Sequence, residues 1–167
     1  MRAPKKITSA FEMVMSDISY KRELPGKDIW QTYAESIKKG ADCEDLKLAM
    51  RQALLLKGYK DQNIQLIAGR LLRGRYKGEM HMVLRVVDHG QVWILDSLLS
   101  RPKPFESYMD RYLKEEYLLS HTGLYYHGHK FMERDLVPKW QRYQRILREE
   151  MSEKMKDKKW KDLQVTL

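Results

Sequence analysis

The sequence predicts an α+β protein. Three helix-like segments precede Gly58, three strand-like segments lie between Asn63 and Leu95, and a long amphipathic stretch begins beyond Pro138. Helices and strands segregated along a chain point to α+β rather than to a βαβ repeat.

Taken in order, Thr8 or Ser9 is placed to cap a short first helix, Ala10 to Ser16. Leu24-Pro25-Gly26 reads as a turn. Trp30, Tyr33, Ala34 and Ile37 recur at spacings of three and four, predicting a second helix from Trp30 to Lys39 that stops at Gly40. Asp42 then caps a central helix running to about Lys57 and ending at Gly58, with Asp45 completing a capping box. Its apolar face is Leu46, Ala49, Met50, Ala53, Leu54 and Leu56.

Asn63 to Ala68, Glu79 to Val87 and Gln91 to Leu95 read as strands, the last two joined by a tight turn at His89-Gly90. Between the first two, Gly69, Gly74 and Gly78 alternate with arginines, as in an exposed loop. The tyrosine-rich segment from Pro102 to His129 is read as a helix over Phe105 to Leu119, then irregular chain or a last strand. Trp140, Tyr143, Leu147, Met151 and Met155 form the stripe of the final helix, and its tail from Glu153 to Lys161 is expected to be solvated and frayed.

The 167 residues suit one main domain, placed at residues 1–135, with 136–167 as a basic helix packed on that domain or on a partner. The single cysteine excludes an internal disulfide framework and a paired-cysteine zinc site. The net charge of +9 is spread between Arg70–Lys77 and Lys154–Lys161 and carries no nucleic-acid signature, so a solvated basic surface is the simpler reading. No export signal or membrane span is apparent, so a cytoplasmic protein is expected as the chain stands, or a periplasmic one after loss of a leader.

The chemistry centres on Asp42-Cys43-Glu44-Asp45. A thiol at a helix N-terminus meets unpaired N–H groups and the positive end of the helix dipole, both of which favour thiolate. If His89-Gly90 is a two-residue turn, Asp88 pairs with Gln91 and Val83 falls opposite Asp96. His81 then shares a face with Val83 and lies diagonal to Asp96, roughly 7–8 Å away at the backbone and within side-chain reach. A carboxylate on one imidazole nitrogen leaves the other free to face a thiolate, which is the orienting logic of a triad. The residues alone also admit a buried, inert Cys43 and an Asp96 that merely ends its strand with an Asx bond.

Gly40 to Asp45 resembles the nucleophile motif of the bacterial transglutaminase-like cysteine peptidases, which include calcium-dependent periplasmic proteases that release biofilm adhesins. Asp28-Ile29-Trp30-Gln31-Thr32 resembles that family's Trp-bearing helix, His81-Met82-Val83-Leu84 its His strand and Leu95-Asp96-Ser97-Leu98 its Asp motif. The resemblance covers Ile18 to Arg101. It implies a papain-like, transglutaminase-type α+β core in which a Cys-bearing helix packs on an antiparallel sheet.

By position, Cys43 becomes the nucleophile, His81 the base and then acid, and Asp96 the orienter, with the Cys43 backbone N–H as oxyanion donor. The implied reaction is hydrolysis of a protein or peptide amide through a thioester. Cross-linking by a transglutaminase, or a non-catalytic binding module with a basic surface, are the alternatives. The chemistry needs no cofactor. Calcium is admitted through Asp42 and Glu44, whose simpler roles are helix capping and dipole compensation. His121, His127 and His129 are too irregularly spaced to argue a metal site. The basic C-terminal helix and the tyrosine-rich segment lie outside the resemblance and are open to self-association or partner binding.

Overall fold

The computed structural model describes residues 1–22 and 29–165, with side chains up to residue 156. The turn expected at Leu24-Pro25-Gly26, and Asp28, lie outside the described residues. Helices α1 (Lys5–Asp17), α2 (Tyr33–Lys39) and α3 (Cys43–Leu56) come first. Strands β1 (Ile64–Leu71), β2 (Met80–Asp88), β3 (Gln91–Leu95) and β4 (Lys103–Pro104) follow, then the short helix α4 (Phe105–Tyr108). Strands β5 (Leu113–Ser120), β6 (Gly123–Tyr126) and β7 (His129–Met132) complete the sheet, and α5 (Pro138–Val165) ends the chain. The seven strands are antiparallel throughout, in the order β4-β3-β2-β1-β5-β6-β7. The α+β architecture expected of the sequence is therefore the one observed.

Strand alternation divides the apolar residues between two sides of the sheet. Ile64, Leu66, Leu84, Val86, Trp93 and Leu95 bury against α1 and α3 and against Trp140 and Tyr143 of α5. Ile67, Val83, Ile94 and Leu113 form a smaller cluster with Tyr108 and Met109 on the other side. The β2–β3 turn is the two-residue one expected: Asp88 pairs with Gln91, and His89 and Gly90 both adopt positive φ, 48° and 78°. That conformation matches the twist of the strands it joins. At Gly69 the β1–β5 register shifts, and a Cβ there would come within 1.9 Å of the Lys114 carbonyl oxygen, a contact only glycine permits.

Four expected elements differ. Helix α1 begins at Lys5 rather than Ala10: the Pro4 carbonyl accepts from the N–H groups of Ile7 and Thr8, and neither Thr8 nor Ser9 is a cap. Its buried face, Ile7, Ala10, Phe11 and Val14, starts a turn earlier than expected. Helix α2 begins at Tyr33, because Thr32 forms a capping box with Glu35 and leaves Trp30 outside the helix. The helix expected over Phe105 to Leu119 ends at Tyr108; Asp110 turns the chain with φ 63°, and Leu113–Ser120 becomes β5. Leu, Lys and Glu favour helix in isolation, but ladders to β1 and β6 override that propensity. Helix α5 remains helical where fraying was expected, although its stripe is buried only at Trp140 and Tyr143, with Met151 58% and Met155 63% exposed. Among the described residues, no helix is long and apolar enough to cross a membrane.

Candidate active site

Cys43 is the first residue of α3, and its position is set by caps on both sides. The Asp42 carboxylate accepts from the Asp45 N–H at 2.9 Å, and Asp45 accepts in return from the Asp42 N–H at 3.3 Å. A cap of this kind contributes about 1 kcal/mol. Asp45 is buried and also accepts from the Gln31 N–H at 2.9 Å and the Gln31 side-chain amide at 3.2 Å. Gln31 in turn donates to the Gly40 carbonyl at 2.8 Å. The approach to Cys43 is thus tied to the first turn of α3. Burial, together with the neighbouring Asp42 charge, pushes the Asp45 carboxyl up to about 8 despite the Gln31 backbone bond.

The sheet supplies the other two members. The hairpin places His81, near the start of β2, beside Asp96, which follows β3, in the register expected. Cys43 Sγ lies 3.1 Å from His81 Nδ1, and His81 Nε2 lies 2.6 Å from Asp96 Oδ1. Asp96 also accepts from the Tyr108 hydroxyl at 2.6 Å and from the Leu98 N–H at 2.9 Å. The Asx bond that sequence admitted as an alternative for Asp96 therefore coexists with the histidine contact. The site joins both sides of the sheet: Cys43 packs against the α1–α3 cluster, while Tyr108 belongs to the smaller one.

The local electrostatics favour an ion pair. Burial pushes the Cys43 thiol up, but the Lys47 charge, the His81 hydrogen bond and charge, and the Met82 backbone outweigh it and hold the thiol below its ordinary value. A protonated thiol would donate to the Met82 carbonyl, 3.3 Å away; the thiolate gives up that bond. Burial lowers His81, yet hydrogen bonds to Asp96 and Cys43, reinforced by their charges, raise it to about 9. Burial also opposes ionisation of Asp96, and His81, Lys47 and the Tyr108 hydroxyl together bring it below the usual carboxylate range. Tyr108 is itself raised, by burial and by Asp96, so it stays a neutral donor.

Two hollows meet at the sulfur. One, of about 290 Å³, is walled largely by Met15, Leu46, Leu71, Tyr76, Met80 and Leu98. The other, of about 250 Å³, carries Arg22, Asp42 and Glu44. Cys43, His81, Tyr20 and Met80 border both, so the sulfur faces an apolar side and a charged side. A larger hollow of about 560 Å³ lies elsewhere, between the start of α1 and the β2–β3 turn, and holds none of these groups.

Calcium takes about six to eight oxygen ligands. Asp42 and Glu44 are oxygen donors of the right chemistry and border the same hollow, but each already has partners within the protein. Asp42 caps α3, while Glu44 accepts from the Trp30 indole N–H and lies 3.8 Å from Lys139 Nζ. Among the described residues, no group of three His, Cys, Asp or Glu side chains is placed to hold a metal. As arranged, two engaged carboxylates fall short of a calcium shell. His121, His127 and His129 are exposed and remote in the fold from Cys43, His81 and Asp96, on β6, β7 and their turns.

Sequence reasoning missed Lys47, Tyr108 and Gln31. Lys47 had a usable signal, since a residue four after Cys43 on a helix shares its face. Tyr108 and Gln31 had none, because both contacts depend on the packing of separate segments.

No model of a known protein family matches the sequence, and no curated protein matches it. Solved structures do. Legionella pneumophila LapG in calcium-bound form aligns with a TM-score of 0.65 at 21% identity, covering 83% of this chain and 79% of that one. A second Legionella pneumophila LapG structure, EGTA-treated, aligns at 0.68 and 19% identity over 84% and 77% of the two chains. A third LapG structure gives 0.68 and 20% identity over 84% and 75%. This chain shares the fold of LapG.

Proposed function

We propose that the protein is a cysteine peptidase or amidohydrolase in which Cys43, His81 and Asp96 act as a triad. The observation that carries this reading is the unbroken relay from Sγ to Nδ1 at 3.1 Å and from Nε2 to Oδ1 at 2.6 Å, at the N-terminus of a helix. Asp96 fixes the imidazole so that Nδ1 faces the sulfur, and its charge favours the imidazolium. The thiolate attacks an amide carbonyl carbon, and the C=O electron pair moves to oxygen. The Cys43 backbone N–H, unpaired in the first turn of α3, is the candidate donor to that oxyanion. Collapse breaks the C–N bond, the departing nitrogen takes the His81 Nδ1 proton, and a thioester remains. Neutral His81 then takes a proton from water as its oxygen attacks the thioester, and the C–S pair returns to sulfur. An amine in place of water would give cross-linking instead, through the same thioester.

The substrate is proposed to be a protein or peptide segment lying across the two hollows beside Cys43. The test is hydrolysis of a broad peptide panel by wild type and Cys43→Ala, with calcium and with chelator. Turnover lost by at least about 10³-fold in Cys43→Ala, with the fold retained, is expected of a covalent nucleophile. Indistinguishable cleavage by the two proteins would remove the reading and favour a binding module. Product carrying an added amine would assign cross-linking.

A further inference from the structure

The reaction just described leaves a buried charge without a task. Lys47 is 0% exposed, one turn beyond Cys43 on the same face of α3. Its Nζ lies 2.7 Å from Ser97 Oγ, 3.3 Å from the Cys43 carbonyl oxygen and 3.8 Å from Cys43 Sγ. Among the described residues, none of the ion pairs includes it. Two neutral acceptors do not compensate a buried ammonium, which persists inside proteins when an anion accompanies it. Asp96 is near enough for Lys47 to favour its ionised form, but its oxygens are already bonded to His81, Leu98 and Tyr108. The anion left to lie against Lys47 is the sulfur.

We infer that Lys47 is the fixed cation of the nucleophile, holding Cys43 as thiolate whenever the sulfur is free and releasing His81 to move protons. The inference rests on the thiol-hydrolase reading and adds a residue in direct contact with the reacting atom. In an isolated Cys–His pair, the thiolate is favoured only while the imidazole keeps its proton. A lysine that does not take part in proton transfer removes that dependence. The sulfur is ionised when it attacks, is bonded to carbon while the imidazole gives its proton to the leaving nitrogen, and departs from the thioester as an ion already matched by Lys47. Such stabilisation lowers intrinsic nucleophilicity by part of what it adds to the thiolate fraction, so the net benefit falls below the ordinary thiol range.

Other charged and titratable groups surround the sulfur. Asp42 and Glu44 flank it on α3, Glu79 and His81 border it from β2 and the preceding loop, and Tyr20, Arg22 and Tyr76 line its hollows. Asp96 and Tyr108 stand behind His81. Apart from His81, which moves protons in the reaction, Lys47 is the buried basic side chain that contacts the sulfur among the described residues.

The test compares alkylation of Cys43 by neutral iodoacetamide and anionic iodoacetate in wild type, Lys47→Met and His81→Gln, across pH. In Lys47→Met, iodoacetamide alkylation at pH 6 should fall about tenfold and recover as pH rises, as expected for a thiol that ionises less readily without the neighbouring cation. The iodoacetate-to-iodoacetamide rate ratio should fall about threefold, because a cation beside sulfur draws in the anionic reagent; a packing defect would slow both reagents alike. In His81→Gln, which does not depend on the folding of Lys47→Met, the thiol should still titrate below a free cysteine. An unchanged ratio and pH profile in Lys47→Met, or a free-cysteine titration in His81→Gln, would overturn the inference while leaving the triad standing. A wild-type Cys43 that titrates like a free thiol and supports no turnover would remove the triad itself.

Discussion

The two ends of the α1–α3 layer hold contrasting hollows. The larger, about 560 Å³, is bordered by Lys5, Lys6, Lys57 and Lys60, all reaching toward solvent around the start of α1 and the end of α3. The smaller pair, at the start of α3, is bordered by Cys43 and His81, behind which Asp96, Lys47 and Tyr108 are buried. The first is a gap between surface lysines whose charges water screens. The second is a place where His81, Asp96, Lys47 and Tyr108 are removed from water beside a half-buried thiol and bonded within the protein. Volume does not identify a site; convergence of buried, mutually compensating charge does.

The sharpest way to break this comparison is Asp96→Asn. The change keeps the shape but removes the charge that favours the imidazolium, and it presents an amide where His81 Nε2–H donates. Activity on any substrate cleaved by wild type should fall by about 10²–10⁴-fold, measured as kcat/KM near pH 7; a loss under threefold would show that Asp96 only shapes the turn.

A smaller effect is expected from pH. His81 is raised to about 9 from its ordinary 6.5, so its partners stabilise the folded state fully below pH 6.5. That contribution is lost as pH climbs from 6.5 through about 9, and acylation should weaken over the same upper limb as His81 loses the proton it must donate. Thermal unfolding followed from pH 6 to 9.5 in wild type and His81→Gln would check the sign: the decline attributable to His81 must be absent from the variant. Asp61 runs the opposite way, held down at about 2 by Arg134 and Arg51, so its share is present above pH 3.8 and lost as pH falls toward 2.

The least effect should come from the other hollow. Lys60→Gln, alone or with Lys57→Gln, is expected to leave turnover unchanged and stability within about 0.5 kcal/mol, as for ordinary surface positions. A clear drop in turnover would mean that this hollow communicates with the active end, and the contrast drawn above would fail.

Much of the active end was legible in the chain because it depends on short-range rules. The capping box of Asp42 and Asp45 places Cys43 at a helix start, and the two-residue His89-Gly90 turn sets a register that brings His81 to Asp96. Both are local, so sequence spacing suffices. Where local preference and tertiary pairing disagree, as in Leu113–Ser120, sequence misled: helix-favouring residues became a strand because β1 and β6 offered ladders on either side.

The sequence by itself determined the order of helices and strands as far as Leu95, the cap at Cys43 and the hairpin that unites histidine and aspartate. Tertiary structure alone decided what surrounds them. The burial of Lys47, the Tyr108 hydroxyl on Asp96, the grip of Gln31 on Asp45 and the turning of Glu44 toward Trp30 and Lys139 all join segments distant in sequence or depend on a layer packed above. A spacing rule reports which residues share a face. Only packing decides which face loses its water, and it is the loss of water that turns a lysine, a thiol and a carboxylate from independent surface charges into one coupled site.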